Sequence, residues 1–393
     1  MPTPSWRQAF GASLARELAI VAARPWEVFA VVLAPLVWLG LTWALLAGGL
    51  PTQLPVALVD EDNSSLSRQV ARAIGATRSA ELVSVESLPA AREALRAGRV
   101  YGVVQLPLGY EREILRGGRL PVVLYLNEMY YPAAGSLEKD ARTAVGAVMG
   151  ERSVSLAARA GGGFAAGALR VDVIQPAFTS LGNPALNYEA YLGATLLPGL
   201  LQLFAVMAFI GAIVRETREG TVGSWLATAG GRLWPALAGK LAPFVAYYLL
   251  LAAAYVAWVG GYAGWSPAGS TALWVLATAL LVLAMLAIGA LCAALAPDWR
   301  LALTLGSLYV APSLPFSGFS YPLASMSDSA QAFGHVLPIT WYLQAQAQQW
   351  TLASPLAHAT PTLLVLVGFA VLPWLLAGPL LARKLRRLAG GPA

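Results

Sequence analysis

Asp60, Glu61, Asp62, Asn63 and Ser64 form the most suggestive oxygen-rich run in the 393-residue chain. Asp60, Asp62 and Ser64 have the spacing of the first three ligands of a calcium loop. The glycine and the bidentate glutamate that such a loop requires are replaced by Ser65 and Ala71. The pattern instead predicts a strand end running into a helix, with Ser64 or Ser65 as the N-cap. The two histidines, His335 and His358, stand alone in sequence, and Cys292 lies inside an apolar run, so neither a disulfide nor a cysteine-based metal site can be built. No G-x-S-x-G elbow, H-E-x-x-H helix or dinucleotide fingerprint is present. Gly239 and Lys240 lack the upstream glycine and the following Ser or Thr of a phosphate loop. The sequence thus predicts no catalytic residue, no metal site and no cofactor of its own. If the protein runs on ATP, a separate chain must hydrolyse it and hold the ATP and Mg²⁺.

The elements around these residues belong to a membrane. The chain is 58% hydrophobic and 12% charged, against about 25% charged in an ordinary soluble protein. A spanning helix needs roughly 20 apolar residues, because unpaired backbone groups in hydrocarbon cost several kcal/mol each. Charge-poor runs predict six spans at 26–50, 189–214, 241–262, 271–296, 301–315 and 361–382, with Pro198 and Gly199 as a kink in the second. Apart from Glu27 and Glu189 at their N-terminal ends, these spans as drawn contain no charged residue, which argues against an intramembrane carboxylate coupling transport to protons or sodium. The first apolar run begins near Val28 and is long enough to span, so no removable signal peptide is expected.

Orientation follows from the basic residues. Outside 51–188 there are 12 Lys and Arg, from Arg7, Arg16 and Arg24 to the cluster Arg383, Lys384, Arg386 and Arg387, and none lies in 263–270 or 316–360. Short loops rich in Lys and Arg stay cytoplasmic, so both termini are expected inside a bacterial cytoplasmic (inner) membrane. The net charge of +6 then has a topological origin, and nucleic acid is not expected as a partner.

Residues 51–188 read as a water-exposed domain, with 14 Lys and Arg and 13 Asp and Glu intermixed. Strand-like runs at 55–59, 82–85, 100–106 and 122–126 alternate with helix-like runs at 65–74, 89–97 and 110–116. This predicts an extracytoplasmic α/β domain. A longer helix from Ala133 to about Arg159 is followed by the flexible run Gly161, Gly162 and Gly163. The predicted fold class is therefore an α-helical membrane protein with six transmembrane helices and an inserted α/β domain.

Three further segments carry a pattern. In residues 1–25, Phe10, Leu14, Leu18 and Val21 share one face of a helix over 6–23, with Arg16 on another, which predicts a helix on the cytoplasmic membrane surface. Residues 215–240 form a cytoplasmic loop with Arg215, Glu216, Thr217, Arg218, Glu219, Gly220 and Thr221, then Trp225 and Leu226. Residues 316–360 are apolar but broken by Pro and Gly, and predict short re-entrant helices.

On the last two of these segments the chain resembles the ABC-2 family of permeases, in its subgroup with a large extracytoplasmic domain between spans one and two. An R-E-x-x-x-G-T-x-x-x-L pattern is matched by Arg215, Glu216, Gly220 and Thr221, with Trp225 or Leu226 one place late. An S-G-F-x-x-P pattern is matched by Ser317, Gly318, Phe319 and Pro322, and a P-x-T-Y-like one by Pro338, Thr340 and, shifted, Trp341 or Tyr342. Gly223 and Ser224 replace the acid and bulky residue that often follow. The resemblance covers essentially the whole chain. It implies a permease dimer, as a homodimer or with a related permease, bound to cytoplasmic ABC ATPase subunits. Its substrates would be hydrophobic or amphipathic, drug-like or lipid-like, exported across the bilayer, and a periplasmic adaptor could engage the outer domain. It assigns ATPase coupling to Arg215, Glu216, Glu219, Gly220 and Thr221 and to the interfacial helix with Phe10, Leu14 and Leu18. Arg215 and Arg218 could instead only anchor the second span at the headgroups. Phe316, Phe319 and Pro322 would form an exit gate or simply pack the re-entrant turn. The alternative function is a membrane-anchored binding or scaffold protein of the cell envelope.

Overall fold

A computed structural model describes residues 4–46, 52–116, 118, 120–126, 131–159, 189–264, 267–350 and 352–389. Its contacts divide the chain into two units, Met1–Leu46 with Leu192–Ala393, and Ala47–Tyr191.

The first unit is helical. Helix α1 (Trp6–Ala23) begins with a capping box in which Ser5 and Gln8 satisfy each other's backbone N–H groups. Arg24 and Pro25 end it, and α2 (Pro25–Leu46) follows with a π-helical turn at Phe29–Leu33. Helix α7 (Ala194–Arg218) continues from a π turn at Glu189–Gly193 and holds Pro198 inside it. Then come α8 (Val222–Thr228), α9 (Leu233–Ala257, prolonged by a π turn at Trp258–Tyr262) and α10 (Thr271–Leu295). Helices α11 (Trp299–Val310), α12 (Ser313–Phe316), α13 (Asp328–His335) and α14 (Pro338–Trp350) precede the last, α15 (Leu356–Ala389).

Among the described residues, five helices are long and apolar enough to cross a membrane: Pro25–Leu46, Tyr191–Arg218, Leu233–Tyr262, Thr271–Leu295 and Leu356–Ala389. The fifth span expected at 301–315 is different. Its 12-residue helix α11 reaches only about 18 Å at 1.5 Å per residue, short of the roughly 30 Å of hydrocarbon. Pro312, with no N–H to donate, stops the helix, and α12 restarts one residue later. The chain nevertheless returns along α10 through α11 to α14. Lys384 Nζ of α15 donates to the Ala293 and Ala296 carbonyls at the end of α10, at 2.9 and 2.7 Å. Ser270, at its start, donates its N–H to Gln349 Oε1 at 2.9 Å near the end of α14.

Helix α10 forms the centre of this unit, packed against α7, α14 and α15, with Trp274, Leu281 and Ala284 fully buried. Small residues let helices approach. A Cβ at Gly306 of α11 would stand 2.6 Å from Ile210 Cδ1 of α7, and one at Gly289 of α10 would stand 3.1 Å from the Val206 carbonyl. Such contacts replace the hydrophobic effect as the cause of helix association in lipid.

The second unit is a small α/β fold. Strands β1 (Leu54–Asp60), β2 (Ala80–Ser84), β3 (Gly102–Leu106) and β4 (Val123–Leu126) form one sheet in the order β2-β1-β3-β4. Strand β1 is parallel to β2 and β3, while β4 closes the edge antiparallel to β3. Helices α3 (Ser65–Gly75), α4 (Leu88–Arg96), α5 (Tyr110–Leu115) and α6 (Tyr131–Arg159) complete it. Every expected strand and helix has a counterpart within about two residues.

The acidic run is the β1–α3 turn. Ser64 Oγ caps α3 by accepting from Ser67 N at 3.0 Å. Asp60 accepts from the N–H groups of Asp62 and Asn63, and Asp62 from those of Gly109 and Glu111. Burial opposes ionisation of Asp62, but these amides and Ser64 hold its carboxyl below the ordinary value. The expected run Gly161–Gly163 and the return to Tyr188 lie outside the described residues.

Candidate functional site

Residues 215–240 are not a loop. Helix α7 continues to Arg218 and α9 already begins at Leu233, so Lys240 lies inside a helix. The charges that mark span boundaries in sequence are here buried and paired. The long apolar helices run past the span ends drawn from sequence and take in Arg215, Glu216 and Lys240.

Helix α1 packs along α9. Its buried line is Ala9, Ser13 and Glu17, while Phe10 and Leu14 are half-buried flanks and Leu18 is exposed. The face buried in protein is thus the polar neighbour of the apolar face expected to meet lipid. Ser13 Oγ donates to the Ala236 carbonyl at 2.7 Å and accepts from Trp225 Nε1 at 2.9 Å. One turn on, Glu17 receives Lys240 Nζ at 2.6 Å and a bond from Arg215.

Glu216 is the second buried acid. Lys240 Nζ reaches its Oε1 at 2.8 Å, Arg16 grips both oxygens at 2.6 and 3.1 Å, and Thr221 Oγ1 donates to Oε2 at 2.5 Å. Lys240 is 0% exposed, Glu17 and Glu216 1% each and Arg215 5%. Arg215 also pairs with Glu27 at the start of α2. Lys240 lies 5.3 Å from the centre of the Trp225 ring, which adds a cation–π contact. Among the described residues, the two most buried acids and the two most buried bases balance, as buried charge requires.

The spacing of the coupling motif has a backbone cause. Gly220 takes a left-handed φ of 68° just past the end of α7. This lets Thr221 N–H return to the Glu216 carbonyl at 2.9 Å, the longer bond of a Schellman end. The same turn brings the Thr221 hydroxyl onto the Glu216 carboxylate.

Glu219 sits at the edge. Arg24 holds it with two bonds at 2.6 and 2.9 Å and also reaches Glu27 at 3.0 Å. The Arg24 hydrogen bonds keep the Glu219 carboxyl below its ordinary value, and Glu219, then Glu27, raise the Arg24 guanidinium. The expected coupling residues thus gather at one place, with Glu17, Lys240, Ser13, Arg16, Arg24 and Glu27 added. Glu17 had a trace in sequence, one turn after Ser13 on α1, but its charge reads as solvent-facing when its partners are unknown.

The cluster is unsuited to acid–base catalysis. Both oxygens of Glu17 and of Glu216 accept charge-assisted bonds, so neither is poised to take a substrate proton. It ties α1, α2, α7, α8 and α9 together, and displacing any one of them breaks bonds to buried charges.

The second expected site lies in the stretch that joins α12 to α13. Phe316 meets Phe333 edge-on with ring centroids 5.2 Å apart, and a Cβ at Gly334 would stand 2.6 Å from the Phe316 carbonyl. Phe319 is half-buried, and Pro322 is exposed and leads into a short 3₁₀ turn. Phe316 belongs to the packing of α12 on α13.

A family model described as ABC-2 family transporter protein matches residues 25–378. No curated protein matches the chain.

Proposed function

Because the chain belongs to the ABC-2 transporter family, a family of ABC-transporter permeases that work in the bilayer with a cytoplasmic ABC ATPase, we propose that it is the transport subunit of an ATP-driven exporter of hydrophobic or amphipathic molecules. ATP and Mg²⁺ belong to the partner ATPase, and a second permease copy completes the transporter. The chain crosses a bacterial inner membrane with both termini in the cytoplasm. Helices α11 to α14 act as the sixth crossing, and the unit at 47–191 is extracytoplasmic, where an adaptor could engage it.

One observation carries the coupling role: Lys240 bonds Glu17 and Glu216 at once, both buried, so α1 cannot shift without disturbing α7 and α9. Helix α8 lies beside this cluster with Val222, Trp225 and Leu226 inward and Gly223, Ser224 and Ala227 outward. That small outward face receives the ATPase, and its push passes through Trp225 and Ser13 into α1.

The test is gentle extraction from the native host, identification of co-purifying chains, and ATP hydrolysis in lipid. Recovery of an ATPase in fixed ratio is expected, with turnover lost in Glu216→Ala and reduced at least tenfold in Arg16→Gln, both checked for native melting. Absence of any ATPase and of hydrolysis under several mild conditions would reject transport and leave the binding or scaffold alternative.

A further inference from the structure

Beside the charge cluster lies a cavity of about 570 Å³ between α2, α7, α9 and α11, within the range of small-molecule sites, roughly 300–1,000 Å³. Its walls are apolar, with Val31, Phe204, Met207, Phe244 and Leu303. One end is cationic. Arg215 and Arg218 line it there, with Arg24 and Glu27.

Arg215 gives its two terminal nitrogens to Glu27 and Glu17, but its buried Nε has no hydrogen-bond partner among the described residues. That Nε is closed off from the cavity, so what Arg215 offers a ligand there is its charge. The carboxylates Glu17, Glu27, Glu216 and Glu219 are outnumbered by Arg16, Arg24, Arg215, Arg218 and Lys240. Among the described residues, Arg218, whose side chain is half exposed, pairs with Glu219 at 3.3 Å and lies 5.8 Å from the centre of the Trp299 ring.

We propose that this cavity binds a single-chain anionic amphiphile, its acidic head at Arg215 and Arg218 and its chain among the apolar walls. As a statement of substrate class this rests on the permease reading, while binding itself requires neither ATP nor transport. A neutral head would gain nothing from this surplus of cations, and a cationic head would be repelled by it.

Gly211 supplies the test. It lines the cavity, and a Cβ there would meet nothing within 4 Å, so a larger side chain grows into the empty space rather than into a helix. Full-length protein in nanodiscs of zwitterionic lipid, with no ATP, is titrated with hexadecanoate, hexadecan-1-ol and hexadecylammonium. Hexadecanoate should bind at least tenfold more tightly than either, acetate should not compete, and Gly211→Phe should weaken hexadecanoate binding at least tenfold with melting unchanged. Arg218→Gln should erase most of the acid-over-alcohol preference. Equal binding of the three probes, or undiminished binding in Gly211→Phe, would overturn the proposal. Should that variant not fold, Leu303→Trp occludes the same cavity from α11. A protein that recovers its ATPase but shows no head-group preference loses this inference alone. One that selects hexadecanoate but recovers no ATPase keeps the site and loses the transport reading.

Discussion

Gly239 of α9 passes directly beneath Phe10 of α1: a Cβ at Gly239 would stand 2.3 Å from the Phe10 carbonyl oxygen and 3.0 Å from Leu14 N. Both are backbone atoms, so Gly239→Ala can be accommodated only by moving one helix off the other. The Ser13–Ala236 and Glu17–Lys240 bonds lie on either side of this crossing. We expect a loss of about 1–3 kcal/mol, the usual cost of overpacking, read as a lower melting temperature in detergent. Gly11→Ala is the control. It lies on the same helix, where a Cβ meets nothing within 4 Å, and should be neutral or stabilising by up to about 1 kcal/mol.

Lys240→Met removes the cation that Glu17 and Glu216 share. Breaking a buried pair from one side costs about 3–5 kcal/mol, because the remaining charge stays desolvated. Adding Glu17→Gln to the same chain removes one of the stranded charges and should recover part of the loss. The double-mutant cycle is expected to show a coupling of about 0.5–3 kcal/mol. Strictly additive losses would mean that the two side chains do not interact across the α1–α9 contact.

How much of this was legible in the sequence varied with the cause of each element. The α/β unit was read closely, because strand runs, helix runs and the Ser64 cap are local signals. The spans were read from charge-free runs, and this failed where charge is buried. Lys240 marked a boundary in sequence yet lies seven residues into α9, since its partners come from α1 and α7, 223 and 24 residues away. Helix α1 was located at Trp6–Ala23, but its packed face was not, because Glu17 in the buried line looks polar until Lys240 and Arg215 are placed beside it. Pro312 was present to warn that 301–315 could not be one helix, and apolar composition outweighed it.

Thr221 tests the geometry of the motif. Its hydroxyl donates to the buried Glu216 carboxylate while its backbone closes α7. Thr221→Val preserves shape and β-branching but deletes the donor, and a bond to a charged group is worth about 1.5–3 kcal/mol. Thr221→Ser retains the donor and should lose under about 1 kcal/mol. If Val and Ser variants melt alike, the hydroxyl contributes nothing and the motif threonine acts only through its backbone.

Arg24 and Glu219 should give the cluster a small dependence on acid. The Glu219 carboxyl is held below its ordinary 4.5 by the Arg24 bonds, so its stabilisation is complete above that value and is lost as pH falls through the lowered one. The pair is solvent-accessible, with side chains 41% and 27% exposed, so the contribution is about 0–1 kcal/mol. The melting difference between wild type and Glu219→Gln should be constant from pH 8 to about pH 5 and shrink below pH 4.5. It should also shrink in 1 M salt, where the screening length falls to about 3 Å. A difference that grows on acidification would have the wrong sign for a carboxylate held ionised by Arg24, and would place the stabilising charge elsewhere in the cluster.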